Sequence, residues 1–201
     1  MNNILIFGMT ENPGGVESFL MSYIRKINHG NFKFGFLCNS HDKIAYEDEL
    51  ISYGCEIYHI TARSKDYKKY KREMQQFFKE NASQYDTIWV NVCSLANIDY
   101  LKYAKKYGIK RRIIHSHNSM NMDSKLRGLL HAYNKRHIDK YATDFWACSK
   151  EAGEWFYSKQ IMQGANYKEI KNAIDISQYK YDEDIRIAYR KKYGVEDRFV
   201  I

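Results

Sequence analysis

Ile4-Leu5-Ile6-Phe7-Gly8-Met9-Thr10-Glu11-Asn12-Pro13-Gly14-Gly15-Val16-Glu17-Ser18-Phe19-Leu20 is the stretch whose reading decides the fold. A short apolar run, Ile4–Phe7, reads as a buried strand. A polar, glycine-bearing turn follows. Val16, Phe19, Leu20, Tyr23, Ile24 and Ile27 then keep helical spacing. Strand, glycine turn and amphipathic helix together open a βα unit.

The same alternation recurs along the chain. Further strand-like runs are Phe34–Leu37, Glu56–Ile60, Thr87–Val92, Arg112–His115 and Asp144–Ala147, with a weaker one at Tyr167–Ile170. Helical patterns lie between them. They are Tyr67, Tyr70, Met74, Phe77 and Phe78; Leu101, Ala104 and Tyr107; Leu126, Leu129, Leu130, Tyr133 and His137; and a helix capped by Ser149. This predicts a Rossmann-like α/β fold, a doubly wound and mostly parallel sheet covered on both faces. Right-handed crossovers place every strand's C-terminal end on one edge, where ligands bind.

Composition narrows the class. The 201 residues suit one compact domain with an extra element, and 44% apolar content is that of a globular chain. No apolar run nears the roughly 20 residues that span a bilayer. The N-terminus lacks a basic, signal-length leader, so a cytoplasmic chain is expected. Cys38, Cys55, Cys93 and Cys148 form no CxxC pair and are expected to be reduced, buried and small. The net charge of +8 calls for an anionic partner. RNA- or DNA-binding patterns are absent, so nucleic acid is not expected. Lys65 to Arg72 interleaves cations with Tyr67 and Tyr70, which suits either a solvated helix face or an anionic membrane surface.

Candidate site residues lie where strands end. Gly14-Gly15 directly precedes the first helix, whose free N–H groups can hold a phosphate or diphosphate; a tight turn explains the pair equally well. The motif is neither GxGxxG nor GxxxxGK[ST]. His115 and His117 alternate onto one side, with His117 nearer the open edge. No further ligand-spaced cluster supports a metal, and none is expected. Asn39, His59 and Asn91 sit at other strand tips, where polar side chains reach a hydroxylated ligand or simply shape loops.

Four segments together resemble retaining GT-B glycosyltransferases of family 4, in that family's order and over most of the chain. They are Pro13-Gly14-Gly15-Val16-Glu17, Ile113-Ile114-His115-Ser116-His117-Asn118, Trp146-Ala147-Cys148-Ser149-Lys150, and Ile170-Lys171-Asn172-Ala173-Ile174-Asp175, where Ala173 replaces the family's glycine. The resemblance implies two facing Rossmann-like domains. Residues 1–180 would form the N-terminal, acceptor-side domain. Residues 181–201 would form an interdomain helix and the start of a second domain, with a strand beginning at Phe199-Val200-Ile201. The rest of the second domain, absent here, would hold most of the donor site, so this chain alone is expected to be inactive.

The resemblance further implies sugar transfer, with retention, from a UDP- or GDP-type donor to a saccharide or lipid-linked acceptor, without a cofactor. A role in exopolysaccharide, capsule or cell-surface glycan synthesis follows, at the inner face of the membrane. His117 would contact the transferred sugar, and Gly14 and Gly15 the diphosphate, with Glu17 in the same loop. Asn118, Ser149 and Asn172 are matched positions on the acceptor side or in the scaffold. Acceptor choice would lie in the loops after strands two to four. Two other readings remain: a stand-alone Rossmann-like binding domain, and part of a non-hydrolysing sugar-nucleotide epimerase.

Overall fold

The computed structural model describes residues 2–120 and 124–200, apart from the side chains of residues 177 and 178. In chain order the elements are β1 (Asn2–Phe7), α1 (Gly15–Ile24), β2 (Phe32–Cys38), α2 (Glu47–Ser52), β3 (Glu56–His59), α3 (Tyr67–Asn81), β4 (Thr87–Val92), α4 (Asp99–Lys106), β5 (Arg111–Ser116), α5 (Lys125–Lys135), β6 (Asp144–Ala147), α6 (Lys150–Phe156), α7 (Lys159–Met162), β7 (Tyr167–Glu169) and α8 (Glu183–Tyr193). The seven strands form one sheet in the order β3-β2-β1-β4-β5-β6-β7, with every pairing parallel. The expected Rossmann-like, doubly wound sheet is therefore present. No helix among the described residues is long and apolar enough to cross a membrane.

Strand alternation sorts the core into two layers. Leu5, Phe7, Ile88, Val90, Ile114 and Phe145 point to one face and pack under α3, α4 and α6. Ile6, Phe34 and Phe36 point to the other, under α1 and α2. Helices α3, α5, α6, α7 and α8 start where the sequence supplies a side-chain cap. Asp66 accepts from the Lys69 amide at 2.9 Å to start α3, and Ser149 accepts from the Ala152 amide at 3.2 Å to start α6. Strand β2, next to the edge of the sheet, carries Gly35 because the Tyr85 ring, reaching over from the turn before β4, fills the space a side chain would take. Tyr85 is fixed there by Glu56 and Tyr58, whose hydroxyls and carboxylate lie 3.2–3.3 Å from its own.

Three expectations change. Cys38 and Cys55 are buried and reduced, but Cys93 is exposed and Cys148 only half-buried, because both lie past the ends of their strands. The apolar stripe of α5 faces solvent: Leu126 and Leu129 are 68% and 69% exposed. Its inner side carries His131 and Asn134 instead. Finally, residues 199–200 lie in no strand, and Ile201 falls outside the described residues.

Gly35→Ala is expected to lower the unfolding free energy by about 2 kcal/mol, since the new methyl overlaps the Tyr85 hydroxyl. Tyr85→Phe in that background should restore part of the loss. Urea denaturation of the single and double variants measures both, and a neutral Gly35→Ala would refute the packing account.

Candidate functional site at the sheet's C-terminal edge

The order of the strands reverses between β1 and β4, so the crevice of a doubly wound sheet lies there. Gly8 follows β1 with φ +132°, and a Cβ on it would lie 2.5 Å from the Asn91 carbonyl of β4. Only glycine permits that approach. Asn91 is buried. Its Nδ2 donates to the carbonyls of Phe7 (3.2 Å) and Trp89 (3.3 Å), which leaves Oδ1 as an acceptor for His117 Nε2 at 3.0 Å. His117 Nε2 is therefore the protonated nitrogen, and Nδ1 keeps its lone pair.

His117 extends the β4–β5 ladder through its amide, which donates to the Val92 carbonyl at 3.2 Å. Its ring lies 4.2 Å from that of His115 and 4.9 Å from that of Phe19, measured between centroids. The alternation expected of the two histidines is thus realised. Burial pushes His117 down to about 4. It pushes His115 to about 2, with a smaller contribution from His117. His115 is fully buried between Phe19, Trp89 and Trp146, and neither ring nitrogen has a partner among the described residues. At neutral pH His117 is an uncharged hydrogen-bonding group, too weak a base to take a proton from an alcohol.

Phe19 sits one turn into α1, so the histidine pair packs directly against the helix that the glycines open. The Glu17 carboxylate is buried. It accepts from the Thr10 amide (3.0 Å) and hydroxyl (2.7 Å) and from the Gly14 amide (3.1 Å). Glu17 thereby ties the loop to the helix start and commits the Gly14 amide. A Cβ at Gly15 would meet nothing within 4 Å, so packing among the described residues does not require that glycine. Gly15 opens onto a groove of about 680 Å³ between α1 and the segment after β7, lined also by Ser18, Lys26, Asn172 and Asp175. The segment is held by Lys26 Nζ to Asp175 at 2.9 Å and by the Tyr23 hydroxyl, which donates to the Lys171 carbonyl at 3.3 Å.

A second cavity, of about 570 Å³, lies at the same edge on the opposite face, lined by Asn39, Arg63, Ser94, Asn97, Tyr100 and Arg127 among others. Asn39 Nδ2 donates to the Tyr100 hydroxyl at 2.6 Å, while its buried Oδ1 has no partner among the described residues. Arg63, Asn97, Tyr100 and Arg127 were not legible as site residues, because helices and loops distant in sequence bring them together. His59 lies in the edge strand, its Nδ1 2.6 Å from the Ser40 carbonyl. Asn118 closes the turn after β5, accepting from the Ser119 amide and donating to the Met120 carbonyl. Ser149 caps α6. Gly14, Gly15, Glu17, Asn91, His117 and Asn172 are thus drawn around α1; Asn39 belongs to the second cavity. Among the described residues no group of three His, Cys, Asp or Glu is placed to hold a metal.

Both depressed histidines bind fewer protons folded than unfolded, so their stability contribution is complete above about pH 6.5 and is lost as pH falls towards their folded values. Each should add a slope of about 1.4 kcal/mol per pH unit below pH 6.5. Denaturant melts from pH 7 to 5 should show this, and His117→Gln should remove its share of the slope. An unchanged slope would mean that His117 titrates normally.

No family model matches the chain. In sequence it is 25% identical over 171 residues to EpsF of Bacillus subtilis (strain 168), a protein named as a glycosyltransferase; the match covers 82% of this chain and 43% of EpsF. In structure it resembles Anabaena HepE, solved with UDP and glucose, with a TM-score of 0.69 at 17% identity over 99% of this chain and 52% of HepE. It also resembles the lipopolysaccharide outer core galactosyltransferase WaaB, with a TM-score of 0.56 at 14% identity over all of this chain and 67% of WaaB. MurG of Acinetobacter baumannii gives a TM-score of 0.53 at 11% identity, over all of this chain and 56% of MurG. The chain spans about half the length of the relatives it matches. It has the fold of about half of a GT-B glycosyltransferase, and its sequence is similar to that of EpsF, a protein named as a glycosyltransferase.

Proposed function

We propose that this chain is the N-terminal, acceptor-side part of a retaining, family-4-like glycosyltransferase that uses a nucleoside diphosphate sugar of the UDP or GDP type in surface-polysaccharide synthesis at the cytoplasmic side of the membrane. The observation that carries the reading is the environment of His117. Its Nε2 is committed to Asn91, its Nδ1 lone pair has no partner among the described residues, and its charge is suppressed by burial. Such a group accepts a hydrogen bond from a sugar hydroxyl without introducing a cation beside the anomeric carbon. The Gly15 end of α1 is sterically open, and the free amides of a helix N-terminus suit a diphosphate whose negative charge grows as the glycosidic bond to the donor breaks. The two cavities give donor and acceptor separate approaches, from the α1 face and from the loops after β2, β3 and β4. No bound metal or cofactor enters this reading.

Calorimetric titration tests the division of labour. The 201-residue chain should bind UDP, GDP and UDP-glucose weakly, and the same chain extended through its downstream domain should bind one nucleotide tightly. In the extended chain His117→Ala should lower kcat/KM by about a hundredfold. Micromolar nucleotide binding by the short chain alone would place the donor site here and overturn the assignment of halves. Epimerisation of the sugar nucleotide without transfer to an acceptor would favour an epimerase.

A further inference from the structure

Helix α5 is amphipathic in the opposite sense to a core helix. Leu126, Leu129, Leu130 and Tyr133 follow i, i+3, i+4, i+7 spacing, yet they are 68%, 69%, 40% and 63% exposed. The orientation is fixed by polar contacts on the inner side. His131 Nδ1 accepts from the Leu95 amide at 3.0 Å, its Nε2 lies 3.1 Å from the Trp155 carbonyl, and Asn134 Nδ2 donates to the Leu95 carbonyl at 2.6 Å. Rotating the helix to bury its leucines would strand these buried groups. The outward stripe is therefore a fixed surface. Met120, just before the helix, adds a further side chain at 60% exposure.

The charges beside the stripe have one sign. Lys125, Arg127 and Arg136 lie on or beside α5, Lys135 is instead turned to the Glu154 carbonyl at 2.6 Å, and the helix contains no carboxylate. Arg127 and Leu130 also line the 570 Å³ cavity, whose opposite wall is Arg63 and Ser64, immediately before the basic start of α3. On α3 itself Tyr70 is fully buried, and Tyr67 lies under Arg63 and Lys71, so that helix presents cations without an apolar stripe. In the expected membrane segment, residues 65–72, Tyr67 is the one exposed aromatic side chain, at 51%, so that segment supplies chiefly charge, whereas α5 supplies an exposed apolar stripe.

We propose that α5 docks this protein onto an anionic lipid bilayer. An apolar stripe flanked by cations matches the interface of such a bilayer, with acyl chains beneath and negative head groups around. A second copy of the chain fits less well, because a two-fold contact would set the same cations against each other. Docking also puts the cavity mouth, between α5 and the start of α3, at the head-group level. Resting on the transfer reading above, this selects a lipid-anchored acceptor whose polar head enters from the membrane.

Cosedimentation with phosphatidylcholine vesicles, with and without phosphatidylglycerol, tests the docking. The chain should bind the anionic vesicles and lose binding as salt rises to about 1 M, where screening extends only about 3 Å. Leu126→Ser/Leu129→Ser/Tyr133→Ser changes only exposed side chains, so its circular dichroism and melting should match the parent's. Its vesicle partitioning should fall at least about tenfold. Lys125→Glu/Arg136→Glu should weaken binding to the anionic vesicles alone. Failure of the parent to bind, equal binding by the triple variant, or loss of self-association in that variant without any vesicle binding would each overturn the proposal. Nucleotide binding by the extended chain, measured without vesicles, should be the same for parent and triple variant, so failure of the transfer reading registers separately.

Discussion

Gly8 lies against the backbone of Asn91, at the single place in the sheet where the winding changes direction. The contact joins the first strand to the fourth and sets how closely their ends approach. It also places the Asn91 amide under the Phe7 carbonyl, which fixes the orientation of that amide and with it the proton of His117. A methyl group at position 8 would displace Asn91 and, through it, the imidazole. The chemistry proposed for the edge thus depends on a backbone contact that has no chemistry of its own.

Burial explains why two histidines can share the α1 face. Two imidazoles 4.2 Å apart would repel if both were charged, and the rings around them remove the water that would stabilise a cation. Phe19, Trp89 and Trp146 thereby keep both neutral. The arrangement has a cost, since the indole nitrogens of Trp89 and Trp146 and both nitrogens of His115 are buried without partners among the described residues. His115 serves as an aromatic spacer, while His117, one pleat nearer the edge, retains a usable nitrogen.

Much of this was legible in the sequence, for definite reasons. Six of the seven strands were visible because each is a short, largely apolar run closed by polar residues, the seventh, Tyr167–Glu169, giving only a weak signal because two of its three residues are charged, and the glycine loop because it stands between a strand and a periodic helix. Strand alternation was enough to pair His115 with His117. Two things were hidden. Glu17 reads either as a ligand contact or as a cap on the helix start, and only the folded loop shows its oxygens taken by Thr10 and Gly14. The stripe on α5 has the same periodicity whether it faces in or out, and only the hydrogen bonds of His131 and Asn134 to distant backbone decide between them. Arg63, Asn97 and Arg127 were invisible because the cavity they line is made by elements that meet only in three dimensions.

The parallel sheet also dictates an order of assembly. Residues 4–7 must wait for residues 87–90 before the central strand gains its second neighbour, whereas β1, β2 and β3 pair over shorter separations. Closing so long a loop is slow relative to local pairing. As the chain leaves the ribosome, the β1–β3 half can therefore collapse while the β4–β7 half is still unmade. Gly8, Asn91 and His117 come from both halves, so the imidazole reaches its final environment only after they join. Its protection from solvent would report completion of the whole sheet, and slow closure between the halves would leave both apolar edges exposed to aggregation in the interval.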